Sequence, residues 1–270
     1  MIDIHVHLQD PCLFGHIDAI LVEAQRLGVQ RLVCNATGPA DWQAVATLAR
    51  RFPFVIPCFG IHPWFVADAA PDWEDRLRDL LLSHPSAVGE IGIDRWINPR
   101  DEAAQDRLFR QQLQIAHDLR RPAMIHCLRA WGWLTDVLSS QPLPPAILIH
   151  SYSGSVDLIK PLCAHNAFFS FSGTVFEPRR QSARDALLAV PPDRLLLETD
   201  APDMLPPPEH RTHTAPDDAG QPRNHPANLP RIYQSVADLL QLPLEQLTLQ
   251  LRNNAAALLG DLFDDAPDPA

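Results

Sequence analysis

Eight short apolar runs recur along this chain, separated by longer stretches of helical periodicity. No other feature limits the possible folds so strongly. The runs cover residues 2–7, 31–35, 54–60, 87–91, 123–126, 146–150, 167–171 and 194–199. Each has the length and apolar character of a buried strand. Between and around them, residues 17–27, 42–52, 73–83, 102–119 and 182–189 carry apolar side chains at helical spacing, as do 229–240 and 244–263 near the end. Strands that alternate with helices build a parallel sheet, and eight of them predict closure into an α/β fold of the (β/α)8 TIM-barrel type. An open doubly wound sheet is the alternative, but the glycine-rich phosphate turn expected after its first strand is missing. A length of 270 residues suits one such barrel. The expectation is one domain over 1–263 and an acidic, proline-rich tail over 264–270.

The first run, MIDIHVHL, carries two histidines and an aspartate among aliphatic residues. Period-two alternation puts Asp3, His5 and His7 on one face, and Ile4, Val6 and Leu8 on the other. Imidazoles at i and i+2 can reach one metal ion; a solvated edge strand is the ordinary alternative. Barrel active sites lie at the C-terminal strand ends, so the other ends decide. The third run leads into CFGIHPW with His62, the fourth into VGEIGID with Glu90, and the fifth ends at His126 in PAMIHC. The sixth ends at His150 in AILIHS and the eighth runs into Asp200 in LLLETDAP. The seventh offers only hydroxyls and the second no evident ligand. A lone histidine after an apolar run is usually a hydrogen-bonded core residue, and LETDAP alone reads as a helix cap. Six of eight ends with such residues make a metal centre the better reading.

Four histidines, one glutamate and one aspartate suit two divalent ions, with Glu90 bridging. One ion takes His5, His7, Glu90 and Asp200; the other takes Glu90, His126 and His150. Zinc, manganese and magnesium are the candidates, and imidazole-rich ligation favours zinc, manganese or cobalt over magnesium. A hydroxide held between two ions would be the nucleophile, with Asp200 orienting the water and taking its proton.

DIHVHL, GIHP, GEIGID, MIHC, LIHSYSG and ETDAP, in this order, closely resemble the TatD family of metal-dependent hydrolases, over nearly the whole chain. The resemblance implies a (β/α)8 barrel within the wider amidohydrolase-like group. Many members of that group place a carboxylated lysine where Glu90 stands here, whereas TatD-like enzymes have glutamate. It implies hydrolysis of phosphodiester bonds in DNA or RNA, typically as a 3′ exonuclease needing a divalent metal. It implies His5, His7, Glu90, His126, His150 and Asp200 as the ligands, with His62 contacting substrate phosphate or supporting the ligands. Two positions depart from the family pattern. The arginine after the fifth-strand histidine comes one residue late, as Arg129, and the common RNEP becomes Arg223-Asn224-His225-Pro226. Both changes fall at expected substrate contacts, Arg129 and Arg223 among them.

The net charge of −11 disfavours coating nucleic acid through long-range attraction, although a local basic groove stays compatible with it. That charge keeps a second function open: two-metal hydrolysis of an ester or amide, in a small molecule or as an aminoacyl-tRNA deacylase. A non-enzymatic scaffold is disfavoured by the complete ligand set. Five cysteines with no CxxC pair, no basic leader and no membrane-length apolar run predict a cytoplasmic, non-membrane protein, read here as a monomer. Its partners would be nucleic-acid ends or a small phosphoester. The stretch 203–228 is rich in proline and histidine, lacks periodicity, and reads as a lid or a solvated loop. Trp64, Trp96, Trp131 and Trp133 follow strand ends; rim packing is the first expectation for them and base stacking the second.

Overall fold

The computed structural model describes residues 1–216 and 219–264. Eight parallel strands stand side by side in sequence order: β1 (Ile2–Val6), β2 (Arg31–Asn35), β3 (Val55–Phe59), β4 (Ala87–Asp94), β5 (Ala123–Leu128), β6 (Ile147–Ile149), β7 (Ala167–Phe171) and β8 (Leu195–Leu197). Every run read as a strand is one. The ends of the sheet meet through two hydrogen bonds: the His5 carbonyl accepts from the Asp200 N–H at 3.0 Å, and the His7 N–H donates to the Ala201 carbonyl at 2.8 Å. The result is a near-closed barrel wrapped by helices, as the alternation predicts.

Two apolar layers hold it together. The outer layer packs strand residues such as Leu32, Val88, Ile125 and Ile149 against helix residues such as Leu21, Val45, Leu77 and Leu113. The inner layer fills the barrel with Ile2, Ile4, Val33, Ile56, Met124, Leu148, Phe168 and Leu196. Leu258, Leu259, Leu262 and Phe263 from the C-terminal helices close this layer. Apolar packing therefore occupies the barrel's lower half and leaves the strand C-termini for polar groups.

The strict alternation expected in the first strand does not hold. The register of β1 against β2 is irregular between Asp3 and Val6. Such a bulge shifts the side-chain phase. Ile2 and Ile4 join the barrel interior, and Asp3 is separated from the two histidines. Its carboxylate instead accepts from the Thr199 N–H at 2.9 Å and bonds the Thr199 hydroxyl.

Gly92 explains one glycine of GEIGID. It adopts φ +146, and a Cβ there would lie 2.0 Å from the His126 carbonyl oxygen. Strands β4 and β5 approach this closely beside Glu90 and His126, which any side chain would prevent.

Six of the seven helices predicted from periodicity appear within one residue of their expected ends, whereas the stretch 244–263 divides at Gly260 into Leu244–Leu259 and Asp261–Asp264. Periodicity did not reveal the nine-residue helix Trp131–Ser139, which buries Leu134, Val137 and Leu138. The stretch 203–228 is more structured than its composition suggested. Ala215–Pro216 and Pro222–Arg223 pair antiparallel, and 3-10 turns form at Pro208–His210 and Pro226–Asn228. Asn224 anchors it by donating to the carbonyls of Thr199 at 2.7 Å and Met204 at 3.1 Å. Asn228 accepts from the backbone N–H groups of Thr212 and His213, both at 2.8 Å. Of the expected tail, Asp264 ends a short helix, Asp261–Asp264, and 265–270 lie outside the described residues. No helix among the described residues is long and apolar enough to cross a membrane.

Candidate metal centre

Glu90 stands at the barrel mouth, 2% exposed. Its Oε2 lies 3.3 Å from His5 Nε2 and 3.4 Å from His7 Nε2. Its Oε1 lies 2.8 Å from His150 Nε2, 3.2 Å from His126 Nδ1 and 3.4 Å from His62 Nε2. One carboxylate thus turns each oxygen to a different set of imidazoles. Asp200 completes the first set, its Oδ1 lying 3.4 Å from His7 Nε2 and 3.8 Å from His5 Nε2. Asp200 sits in the left-handed region at φ 53, a conformation costing a non-glycine residue about 1–3 kcal/mol and concentrated at functional sites. All six expected ligands and His62 therefore converge.

The donor chemistry fits divalent cations. His5 Nε2 faces His7 Nε2 at 3.3 Å, and His126 Nδ1 faces His150 Nε2 at 3.1 Å. Neutral imidazoles that aim lone pairs at one another repel, so each pair needs a proton or a cation between them. His5 Nδ1 and His150 Nδ1 are buried with no hydrogen-bond partner, so neither ring is locked by a second bond.

The charges answer to the same geometry. Burial favours a neutral Glu90, yet the surrounding imidazoles, His150 foremost, hold its pKa well below the ordinary value. Burial also opposes charge on His7, but the bond to Asp200 and the charge of Glu90 raise its pKa to about 9. His150 is held well above the usual histidine value against burial by Glu90 and Glu198. His126 is raised, despite burial, by its bonds to Asp94 and Glu90. Burial lowers His5, helped by the charge on His150, and pushes His62 down to about 4. Without metal, protons on His7 and His150 offset the charge of the carboxylates.

Several further residues that sequence motifs do not single out support the centre. Asp94, at the end of GEIGID, accepts from His126 Nε2 at 3.0 Å and from Trp64 Nε1 at 2.7 Å through Oδ2. Its Oδ1 accepts from the N–H groups of Trp96 and Ile97. Its spacing from Glu90, two strand periods, was the available signal. Glu198 is fully buried; its Oε2 accepts from the Ser170 hydroxyl and its Oε1 lies 3.8 Å from His150 Nδ1. Two glutamines of helix Glu102–Asp118 pin the barrel rim. Gln105 brackets the Asp94 backbone, accepting from its N–H at 2.9 Å and donating to its carbonyl at 3.1 Å. Gln112 does the same for Ile61, next to His62, at 2.7 and 3.1 Å.

The residues expected to contact substrate lie in different surroundings. His62 Nδ1 accepts from the Trp64 N–H at 3.2 Å. The proton of the neutral ring therefore sits on Nε2, which faces Glu90 as a donor. Arg129 is exposed at φ 56, beyond β5, and the structure records no contact from it to the centre. Arg223 forms an ion pair with Asp203, so its charge is partly neutralised locally. His225, which stands where the family pattern has glutamate, is buried and caps the turn at Pro226–Asn228 by accepting from the Ala227 N–H at 3.0 Å.

A family model described as TatD related DNase matches residues 2–260. The 3′-5′ ssDNA/RNA exonuclease TatD of Musicola paradisiaca (strain Ech703) is 34% identical over 275 residues, covering 98% of this chain and 95% of that protein. The metal-dependent hydrolase YjjV of Escherichia coli (strain K12) is 29% identical over 260 residues, covering 95% and 96%. The crystal structure of that TatD homologue matches with a TM-score of 0.87 at 27% identity, over 96% of this chain and 97% of the other. The motifs, the barrel and the histidine–carboxylate cluster agree with these matches, and the chain belongs to the TatD family of metal-dependent hydrolases.

Proposed function

We propose that this hydrolase is a phosphodiesterase that removes nucleotides from the 3′ end of single-stranded DNA or RNA. The observation that carries the reading is Glu90, with one oxygen facing His5 and His7 and the other facing His126 and His150. This is the arrangement of a carboxylate that bridges two cations. His5, His7, Glu90 and Asp200 would hold one ion; Glu90, His126 and His150 would hold the other. Zinc, manganese and magnesium are the candidate metals. Bound there, the ions would lower the pKa of a water molecule and draw charge from the phosphoryl oxygens. The relatives named as 3′-5′ ssDNA/RNA exonucleases support the substrate class.

The chain's own groups divide the remaining work. Asp200 is at the edge of the cluster, within 4 Å of both His5 and His7, and takes the proton of the attacking water. Burial favours its neutral form, but the bond from His7 and the nearby imidazole charges lower its pKa and keep it an acceptor. His62 presents Nε2–H, which suits a donor to a phosphate oxygen. Asp94 fixes the ring of His126. Arg129, exposed beyond β5, would reach substrate phosphates. We place this activity in a single domain over 1–263, acting as a monomer in a reducing cytoplasm, which the five free cysteines suit.

Hydrolysis of a carboxylic ester or amide by the same two-ion centre is the second reading. The net charge of −11 and the neutralisation of Arg223 by Asp203 favour it. A 5′-labelled single-stranded DNA oligonucleotide separates the two. With manganese, magnesium or zinc the expected result is a ladder shortening from the 3′ end. Chelator and the Asp200→Asn substitution should abolish it. An intact oligonucleotide from protein shown to hold two metal ions would sink the phosphodiesterase reading and leave the ester or amide.

A further inference from the structure

We propose that the aromatic cleft formed by Trp64 and Trp96 beside the metal centre is a stacking subsite for the nucleobase at the cleaved end of the strand. The proposal deepens the phosphodiesterase reading and rests on it.

The four tryptophans near the strand ends divide into two kinds. Trp131 packs edge-on against Tyr152 with ring centroids 5.0 Å apart. Trp133 donates to Asp106 at 2.7 Å and lies under the Arg95 guanidinium. Both are ordinary rim packing. Trp64 and Trp96 are 42% and 55% exposed. With Ile97 and Asn98 they line an open cleft of about 440 Å³, within the size range of small-ligand sites. A single tryptophan left in water needs no explanation, but two that share the walls of one cleft do.

The cleft is built into the metal centre by one carboxylate. Asp94 Oδ2 takes both the Trp64 indole N–H and His126 Nε2–H, and Oδ1 takes the backbone N–H groups of Trp96 and Ile97. His126 in turn faces Glu90 at 3.2 Å. Three short steps therefore lead from the indole of Trp64 to the bridging carboxylate. The His62 ring stands edge-on to Trp64 with centroids 5.2 Å apart, and its Nε2 faces Glu90. A phosphate that meets His62 therefore brings its attached nucleoside to the Trp64 side of the centre.

The chemistry of the walls selects the occupant. The only polar atom of the Trp64 side chain is already bonded to Asp94, so the indole offers water an apolar π surface. Two indoles, an isoleucine and one amide provide stacking area with little hydrogen-bonding capacity. Such a site takes any base by its π face and reads no sequence. It also needs no positive charge, which suits a chain with a net charge of −11. Asp94 holds Trp64 and the backbone of Trp96 in place before substrate arrives, which reduces the ordering cost of binding.

The test compares two 5′-fluorescein-labelled single-stranded DNA hexamers by fluorescence anisotropy, one with a normal 3′ terminal nucleotide and one abasic there. Chelator keeps the strands intact, at low ionic strength. Trp96→Ala should raise the Kd for the normal hexamer about 5- to 150-fold, the equivalent of one stacked base. It should leave the Kd of the abasic hexamer unchanged, and Trp96→Phe should recover most of the loss. Equal losses for both hexamers, or none, would overturn the subsite. If the wild-type protein cuts the normal hexamer in manganese while Trp96→Ala binds it unchanged, only the stacking proposal falls. If the wild-type protein neither cuts nor binds any oligonucleotide, the phosphodiesterase reading falls, and the subsite with it.

Discussion

Asp94 Oδ2 accepts the Nε2 proton of His126 at 3.0 Å, and that single bond decides which nitrogen of His126 faces Glu90. With Nε2 protonated, Nδ1 keeps its lone pair for the centre. Ligand histidines commonly depend on such a carboxylate for tautomer, orientation and basicity. Asp94 is also fully engaged as an acceptor. Each oxygen receives two N–H donors, from His126 and Trp64 on one side and from Trp96 and Ile97 on the other.

Asp94→Asn should therefore weaken the centre without unfolding the barrel. Whichever way the amide turns, its NH2 group meets two donors that no longer have an acceptor. The expected loss is about 10–100-fold in affinity for the ion held by His126 and His150, with a similar fall in turnover. Competition with a coloured chelator measures the first quantity, and circular dichroism checks the fold. Unchanged metal affinity in a folded Asp94→Asn protein would remove Asp94 from the centre.

Metal loading should also expel protons. In the metal-free protein the pKa of His7 is raised to about 9 and that of His150 well above the usual histidine value, so both carry protons at pH 7; His126 is raised as well. A ligand nitrogen must lose its proton to bind. The expected release is about two or more protons per chain on filling both positions at pH 7, from His7 and His150 first. Because each raised pKa favours the protonated, metal-free state, affinity should climb as pH rises through that range. Titration calorimetry in two buffers of different ionisation heat counts the protons directly. Binding with no release would mean that the imidazoles are neutral before the ions arrive.

Much of this centre was legible because barrel geometry is repetitive. Once the eight runs are read as strands, His5, His7, Glu90, His126, His150 and Asp200 must gather at one rim, and they do. Residues whose partners lie far away in the chain were harder to place. Asp94 belongs to the GEIGID motif, yet its donors come from residues 64 and 126 as well as its own turn. Gln105 and Gln112 look like solvent-facing helix residues until the helix is docked on the rim. Arg223 pairs with Asp203, 20 positions earlier, and no periodicity reports such a pairing. The irregular register between Asp3 and Val6 was also invisible. A bulge leaves composition unchanged and alters only which residues share a face.

The displacement of Asp3 from the histidine face gives it a different role, in stability. Burial, opposed in part by its bonds to Thr199, raises its pKa from 3.8 to about 8. The folded state therefore binds a proton that the unfolded chain releases near pH 4. Between those values the native state carries more protons, so stability falls as pH rises. The contribution is complete below about pH 4 and gone above about pH 8. In an Asp3→Asn protein the new amide can donate to the Thr199 hydroxyl and accept from the Thr199 N–H, as the protonated carboxyl does. It has no charge to bury at any pH. In chelator, the melting temperature of the wild-type protein should fall relative to Asp3→Asn between pH 5 and 8. Linkage of this kind is worth a few kcal/mol, roughly five to ten degrees for a chain of this size. Paired melts across that range would show it. A gap that stays constant with pH would mean that Asp3 is ionised in the folded protein and that its bonds to Thr199 suffice to hold the charge.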